Sequence, residues 1–298
     1  MKFLHLHIRY DYSVLLAIAA FTRLWKLGSF PPGGENAFWL RLPTAIAAVS
    51  TILLLTQIVN YLSGNRRLAV LSGAGLIFMP WHFEQSRVNS PAMLGLAILL
   101  AGVIIWIHTN QNSVRLISLI GIAGLFRWVY PQFWLFGWPI QLSNLQYYLG
   151  NLFKLISVDF LFFKNDAFWI GGIRTVGVML TLTLPVFILG VYKAVFKFKL
   201  RLWPLLAGAI IIWLIAAANP TFPEEREFFL ITPYLALITA FGTLKLFEYF
   251  KDPNMLKKVF LAVYAFLILY NYILFLHTYT AHYSKRIEID MPQNERLF

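Results

Sequence analysis

The chain contains no cysteine, so neither a disulfide framework nor a thiolate metal site is open to it. Charge is scarce as well. Charged residues make up 13% of the 298, against about 25% in soluble domains. Motifs that hold phosphate or zinc are also missing: there is no G-x-x-x-x-G-K-S/T, no G-x-G-x-x-G after a strand and no H-E-x-x-H. The six histidines are scattered, without metal-site spacing on any helix. These absences exclude a soluble ATP-driven enzyme and a zinc hydrolase, and predict no cofactor and no metal.

What fills the chain instead is apolar sequence. Hydrophobic residues make up 59%, arranged from Val14 to Thr278 as one apolar stretch after another between short basic or Pro/Gly-marked turns. Apolar runs of about 17–25 residues cross a bilayer as helices, and backbone in hydrocarbon must satisfy its own hydrogen bonds, as helices or closed barrels do. Barrel strands alternate polar and apolar residues; Pro91–Ile107 does not. The predicted fold class is therefore all-α, a polytopic transmembrane helical bundle of about nine spans. The spans run near Tyr12–Leu27, Leu42–Leu62, Leu68–Trp81, Pro91–His108 and Arg115–Ile140, then Arg174–Phe196, Leu202–Ala218, Phe228–Phe247 and Lys258–Tyr279. Residues 1–279 form the transmembrane domain, with a long connection at 141–173 and a short tail at 280–298. Val14–Thr22 is followed by Arg23, Trp25, Lys26 and Pro31-Pro32 rather than a cleavage site, so it is read as a retained span.

The formal charge of +12 does not point to nucleic acid. Its basic residues cluster in short turns: Arg66-Arg67, Lys193–Arg201 and Lys245–Lys258. Short basic turns face the cytoplasm and its anionic lipid. That places the N-terminus inside and the tail outside, in a plasma membrane of bacterial or archaeal type. The opposite connections hold the acids Glu35, Glu84, Asp159, Asp166, Glu224, Glu225 and Glu227. Gln141–Ile173 is rich in aromatics, and Leu145–Ile156 is patterned as an amphipathic helix lying in the interface.

Ionisable groups beside a membrane are costly unless paired or useful. The outer connections bring together Glu35, His82, Glu84, Arg87, Lys164, Asp166 and Arg226. A guanidinium takes phosphate bidentately, and a carboxylate can accept a hydroxyl proton. Arg87 and Arg226 are the phosphate-binding candidates, with His82 and Lys164 beside them; Glu35 and Asp166 are the candidate bases.

Several strings carry a resemblance. Phe38–Ala47 (FWLRLPTAIA) resembles the RLP-S-A opening of a span in membrane glycosyltransferases of the protein-mannosyltransferase and aminoarabinose-transferase type. Met79–Arg87 (MPWHFEQSR) resembles their SPWH…FSR segment. Val158–Asp166 (VDFLFFKND), with Gly177, Leu184-Pro185 and Gly190, resembles a later stretch, and Arg226 with Pro233–Ala236 another. The resemblance implies a GT-C fold, a polyprenyl-phosphate sugar donor and transfer on the outer side, the bilayer and a further membrane protein being its other partners. The chain departs from the pattern. The first outer loop, Gly28–Phe38, is short, and Glu35 is its sole acid where relatives carry an Asp-Glu pair. Two further readings are a non-catalytic protein of the same fold, which binds lipid-linked sugar or serves an assembly, and a transporter. Against the transporter stands the lack of paired broken helices in two matching halves.

Overall fold

The computed structural model describes residues 10–29, 36–109, 145–164, 176–196, 203–217, 228–250 and 255–283, with a few positions between 111 and 124. Among them every regular element is helical. In chain order these are α1 (Tyr10–Leu24), α2 (Ala37–Ser63), α3 (Arg66–Ile77), α4 (Pro80–Gln85) and α5 (Pro91–His108). After the 145 position come α6 (Leu145–Leu155), α7 (Leu184–Phe196), α8 (Trp203–Ala217), α9 (Thr232–Tyr249) and α10 (Met255–His277).

The helix ends follow local chemistry. Helix α2 has 27 residues, ~40 Å at 1.5 Å per residue, and so exceeds a hydrocarbon core of about 30 Å. It stops at Gly64, whose φ of 62° is left-handed and whose N–H reaches the Asn60 carbonyl, the turn that glycine closes without a Cβ clash. Asn65 then opens α3 by accepting from the Leu68 N–H at 3.1 Å. Ser90 caps α5 through Met93 N–H, and Pro91 takes the first helical position, where its missing N–H costs nothing.

The sequence predicts one span over Leu68–Trp81, but the helix breaks at Phe78-Met79. Pro80 is the reason. It pushes Met79 into an extended conformation (φ −76°, ψ 119°) and starts α4, a short helix buried along its whole length. The predicted Arg174–Phe196 span also differs. Its helix starts at Leu184, because residues 178 and 179 are held by other backbone: Val178 N–H donates to Phe160 O at 3.4 Å and Met179 N–H to Leu161 O at 2.8 Å. Those carbonyls belong to a π-helical turn, Asp159–Phe163. A Cβ on Gly177 would stand 2.5 Å from Phe162 backbone, so only glycine permits this approach. Most of the predicted Arg115–Ile140 span lies outside the described residues.

Helix α3 is central, flanked by α2 and α9; α5 lies on the far side of α2, α7 on the far side of α9, and α1 against α2 and α3. Small residues let these backbones touch, the usual basis of helix association in lipid. A Cβ on Gly190 of α7 would stand 1.9 Å from Ile238 O of α9, and one on Gly242 of α9 would stand 1.6 Å from Val186 O. Helix α6 packs on α8: Asn151 Nδ2 donates to Ala217 O at 3.1 Å and Trp213 Nε1 to Leu152 O at 3.1 Å. Its opposite side exposes Leu145, Leu149 and Phe153, which matches the amphipathic pattern.

Among the described residues, three helical runs are long and apolar enough to cross a membrane: Ala37–Ser63, Pro91–His108 and Met255–His282. The last is 11% buried over its apolar window, so most of its apolar surface is left uncovered by the rest of the chain. The chain is an all-α membrane protein.

Candidate functional site: a buried polar end

One end of the bundle gathers charge that an apolar protein of this kind otherwise lacks. The end of α1, the beginning of α2, the end of α3 and all of α4 meet there, and the last turns of α10 close over them. Arg23, Arg41, His82, Glu84 and Arg87 are all buried, none above 8% exposed. At the other end the ion pairs are exposed or half-exposed: Arg66 with Asp11, and Glu248 with Lys193 and Lys245.

Arg23 has the most complete set of partners. Its Nη2 donates to Leu76 O at 3.1 Å and Ile77 O at 3.0 Å, carbonyls of the last turn of α3, the first of which also accepts from Met79 N–H at 3.4 Å. The same nitrogen lies 3.1 Å from His82 Nδ1. On the far side of the ring, His82 Nε2 lies 2.9 Å from Thr51 Oγ1. The Thr51 hydroxyl donates to Ala48 O at 2.7 Å, so its lone pairs face the histidine. One tautomer fits the chain of donors: Nε2–H donates to Thr51, and Nδ1 accepts from Arg23, whose two Nη2 hydrogens are shared among this nitrogen and the Leu76 and Ile77 carbonyls. Burial first, and then the Arg23 charge, hold the imidazole well below its ordinary pKa. His82 is neutral and fully buried.

Arg87 does the same work at the end of α1. Its Nη2 donates to Lys26 O at 2.9 Å and its Nη1 to Arg23 O at 3.4 Å and Thr22 O at 3.5 Å. Arg41 Nη1 donates to Leu27 O at 3.1 Å. Three arginines therefore tie the ends of α1 and α3 to α2 and α4. Both Arg23 and Arg87 also lie over the Phe83 ring, at 5.1 and 5.3 Å from its centroid, within the range of a cation–π contact.

Helix α10 completes the cluster. Tyr272 and Phe275 of α10, and Tyr279 of the π-helical turn Thr278–Tyr283 that continues it, are buried although the helical run is mostly exposed. Spacings of three and four put them on one face. Phe275 and Tyr279 meet Phe83 edge-on at 5.5 and 5.3 Å, and Tyr272 meets Phe78 at 5.0 Å. The Tyr272 hydroxyl lies beside Arg23 and the Tyr279 hydroxyl beside Arg87. Tyr279 also lies in the field of Glu84 and Arg41. Arg41 of α2, and Glu84 and Arg87 from the single stretch around α4, are thus all buried within electrostatic reach of Tyr279.

Of the residues singled out in the sequence, His82, Glu84 and Arg87 lie in this cluster. Lys164 is exposed, just past the Asp159–Phe163 turn. Glu35, Asp166 and Arg226 lie outside the described residues. Arg23, Arg41, Thr51, Phe83, Tyr272 and Tyr279 were not anticipated. A signal existed for two of them: an arginine in the last turn of one apolar helix, and another near the start of the next, are expensive there without partners. Among the described residues no group of histidines and carboxylates is placed to hold a metal.

No protein-family model matches the chain, and no solved structure matches it. Among curated proteins it is similar to the multidrug transporter EmrE of Escherichia coli strain K12. The two are 29% identical over 75 residues, a stretch that covers 24% of this chain and 68% of that protein. A likeness of that extent assigns no family.

Proposed function

We propose that this chain is a membrane glycosyltransferase-like protein of GT-C type, of about nine spans, which takes a polyprenyl-phosphate sugar and transfers the sugar to an acceptor on the outer side of the membrane. The N-terminus is cytoplasmic in this reading, and the buried polar end faces outward. The observation that supports it most is the burial of Arg41, Glu84 and Arg87 at one end of the bundle, with Arg41 and Arg87 both tied to the end of α1. More guanidinium than carboxylate, out of water, suits an anionic lipid headgroup. Two of the four strings that carry the family resemblance, RLP at Arg41–Pro43 and PWHFEQSR at Pro80–Arg87, lie at this end. Glu35 or Asp166 is the proton acceptor of the reaction, and Arg226 and Lys164 add to the phosphate-binding set.

A second reading rests on a different observation. The stretch similar to the multidrug transporter EmrE favours export of a small molecule rather than sugar transfer.

The test uses the whole chain in lipid nanodiscs and in proteoliposomes, with a polyprenyl phosphate carrying a radiolabelled hexose. Retention of the donor with transfer of label to an acceptor supports the proposal, and Arg41→Lys should weaken retention. Retention without transfer makes the protein a non-catalytic binder of lipid-linked sugar. No retention, together with transport of a drug across the proteoliposome membrane, replaces the proposal with the transporter.

A further inference from the structure

A cleft without charged residues borders the arginine cluster and shares Phe275 with it. It has a volume of about 130 Å³ and lies between α10 and the turn before α7. Leu180, Leu274 and Phe275 form its apolar wall, and Thr181, Asn271 and Thr278 its polar one. Asn271 sits in the apolar run Met255–His282, where an amide is costly unless bonded.

The hydrogen bonds already made define what is left over. Asn271 Oδ1 accepts from the Leu182 N–H at 3.5 Å, which orients the amide. Its Nδ2 has no partner among the described residues. The Thr181 hydroxyl donates to Phe162 O at 2.7 Å and the Thr278 hydroxyl to Leu274 O at 2.9 Å. Both hydroxyl protons are committed, so the threonines offer only lone pairs. The unspent donor is the Asn271 amide, and its complement is a neutral acceptor.

The surroundings narrow the acceptor further. No lining residue is charged, so an anionic phosphate has no counter-charge here. Phe266, Leu267, Tyr270, Ile273 and Leu274 are exposed, so the cleft borders lipid. Along the helix, Asn271 lies ~12 Å from Tyr279 at 1.5 Å per residue, and Tyr279 is the level of the charged end. One group of a bilayer lipid is neutral, accepts hydrogen bonds and lies just below the headgroup: the acyl ester.

We propose that this cleft binds the ester carbonyl of a glycerolipid, with Asn271 Nδ2 as its donor and the adjoining acyl methylenes against Leu180, Leu274 and Phe275. The proposal is independent of the glycosyltransferase reading, because a polyprenyl phosphate has no ester carbonyl.

The experiment takes delipidated protein in detergent and adds diacyl phosphatidylglycerol, or a dialkyl-ether analogue with the same headgroup and chain length. Bound lipid is counted by native mass spectrometry. The ester lipid should be retained at least tenfold more tightly than the ether lipid. Asn271→Leu should abolish that preference. Leu274→Trp, which fills the cleft and keeps Asn271, should abolish it too, and carries the test if the first variant fails to fold. Equal retention of the two lipids, a preference that survives either variant, or displacement of the ester lipid by polyprenyl phosphate would overturn the proposal.

Discussion

Arg23 Nη2 stands 3.1 Å from His82 Nδ1, between the end of α1 and the short buried α4. A permanent cation this close to an imidazole fixes the histidine in its neutral form, with the lone pair of Nδ1 turned to the arginine. The histidine is therefore a bridge between Arg23 and Thr51, a use distinct from direct contact with substrate.

This bridge makes stability depend on pH. The folded-state pKa of His82 lies well below its ordinary value, whereas an unfolded histidine titrates near ~6.5. Above that pH neither state carries the proton and the bridge contributes fully. Below it the unfolded chain takes up a proton that the folded one refuses, so stability falls by up to ~1.4 kcal/mol per pH unit. The thermal midpoint of the wild type should drop between pH 7 and pH 5 by more than that of His82→Gln. Parallel pH profiles would show that His82 is not held neutral.

Thr51→Val tests the other side of the ring. It keeps the shape and removes the acceptor of His82 Nε2–H. A buried donor left without a partner costs about 1–3 kcal/mol, and the midpoint of thermal unfolding in nanodiscs should fall accordingly. No change would mean that the 2.9 Å contact carries no energy.

Arg87→Lys separates capping from ligand binding. Arg87 spans the carbonyls of Thr22, Arg23 and Lys26 with two nitrogens; a lysine ammonium cannot reach all three. The variant should unfold earlier, by about 1–3 kcal/mol, even with no lipid-linked sugar present. An unchanged midpoint with weaker donor retention would assign Arg87 to the headgroup instead.

The glycines predict two different penalties. Gly242→Ala puts a methyl 1.6 Å from Val186 O, so α7 and α9 must separate; the loss should be about 3 kcal/mol or more, at or above the upper end for overpacked cores. Gly64→Ala meets nothing within 4 Å and costs only the left-handed backbone, about 1–2 kcal/mol. Equal effects on folded yield would contradict the close packing.

The absence of cysteine makes topology simple to read. Single cysteines at Asn65 and Lys164 should react with an impermeant thiol reagent from opposite sides of the membrane. Labelling of both from one side would remove the nine-span arrangement.

The contrast between α5 and α4 shows what could be read without coordinates. Pro91–His108 is legible to the residue, because an apolar run between a serine-proline start and polar residues is a local property. Met79–Arg87 is legible as a conspicuous string and as a break at Pro80, but its environment is not. Whether Arg87 faces a headgroup or the carbonyls of α1 depends on where α1 ends in space, 61 residues earlier in the chain for Lys26. The pairing of His82 with Thr51 and Arg23 is of the same kind.

Composition and hydropathy alone settled that this is a helical protein of the membrane, since the cost of unpaired backbone and of charge in hydrocarbon acts on every residue wherever it lies. Tertiary structure alone decided how the few charges are used. A buried guanidinium must find acceptors, and these come from helix ends that the chain brings together only on folding. The lysine that the sequence grouped with them is left exposed, and three aromatic residues from the far end of the chain take a place beside the arginines instead.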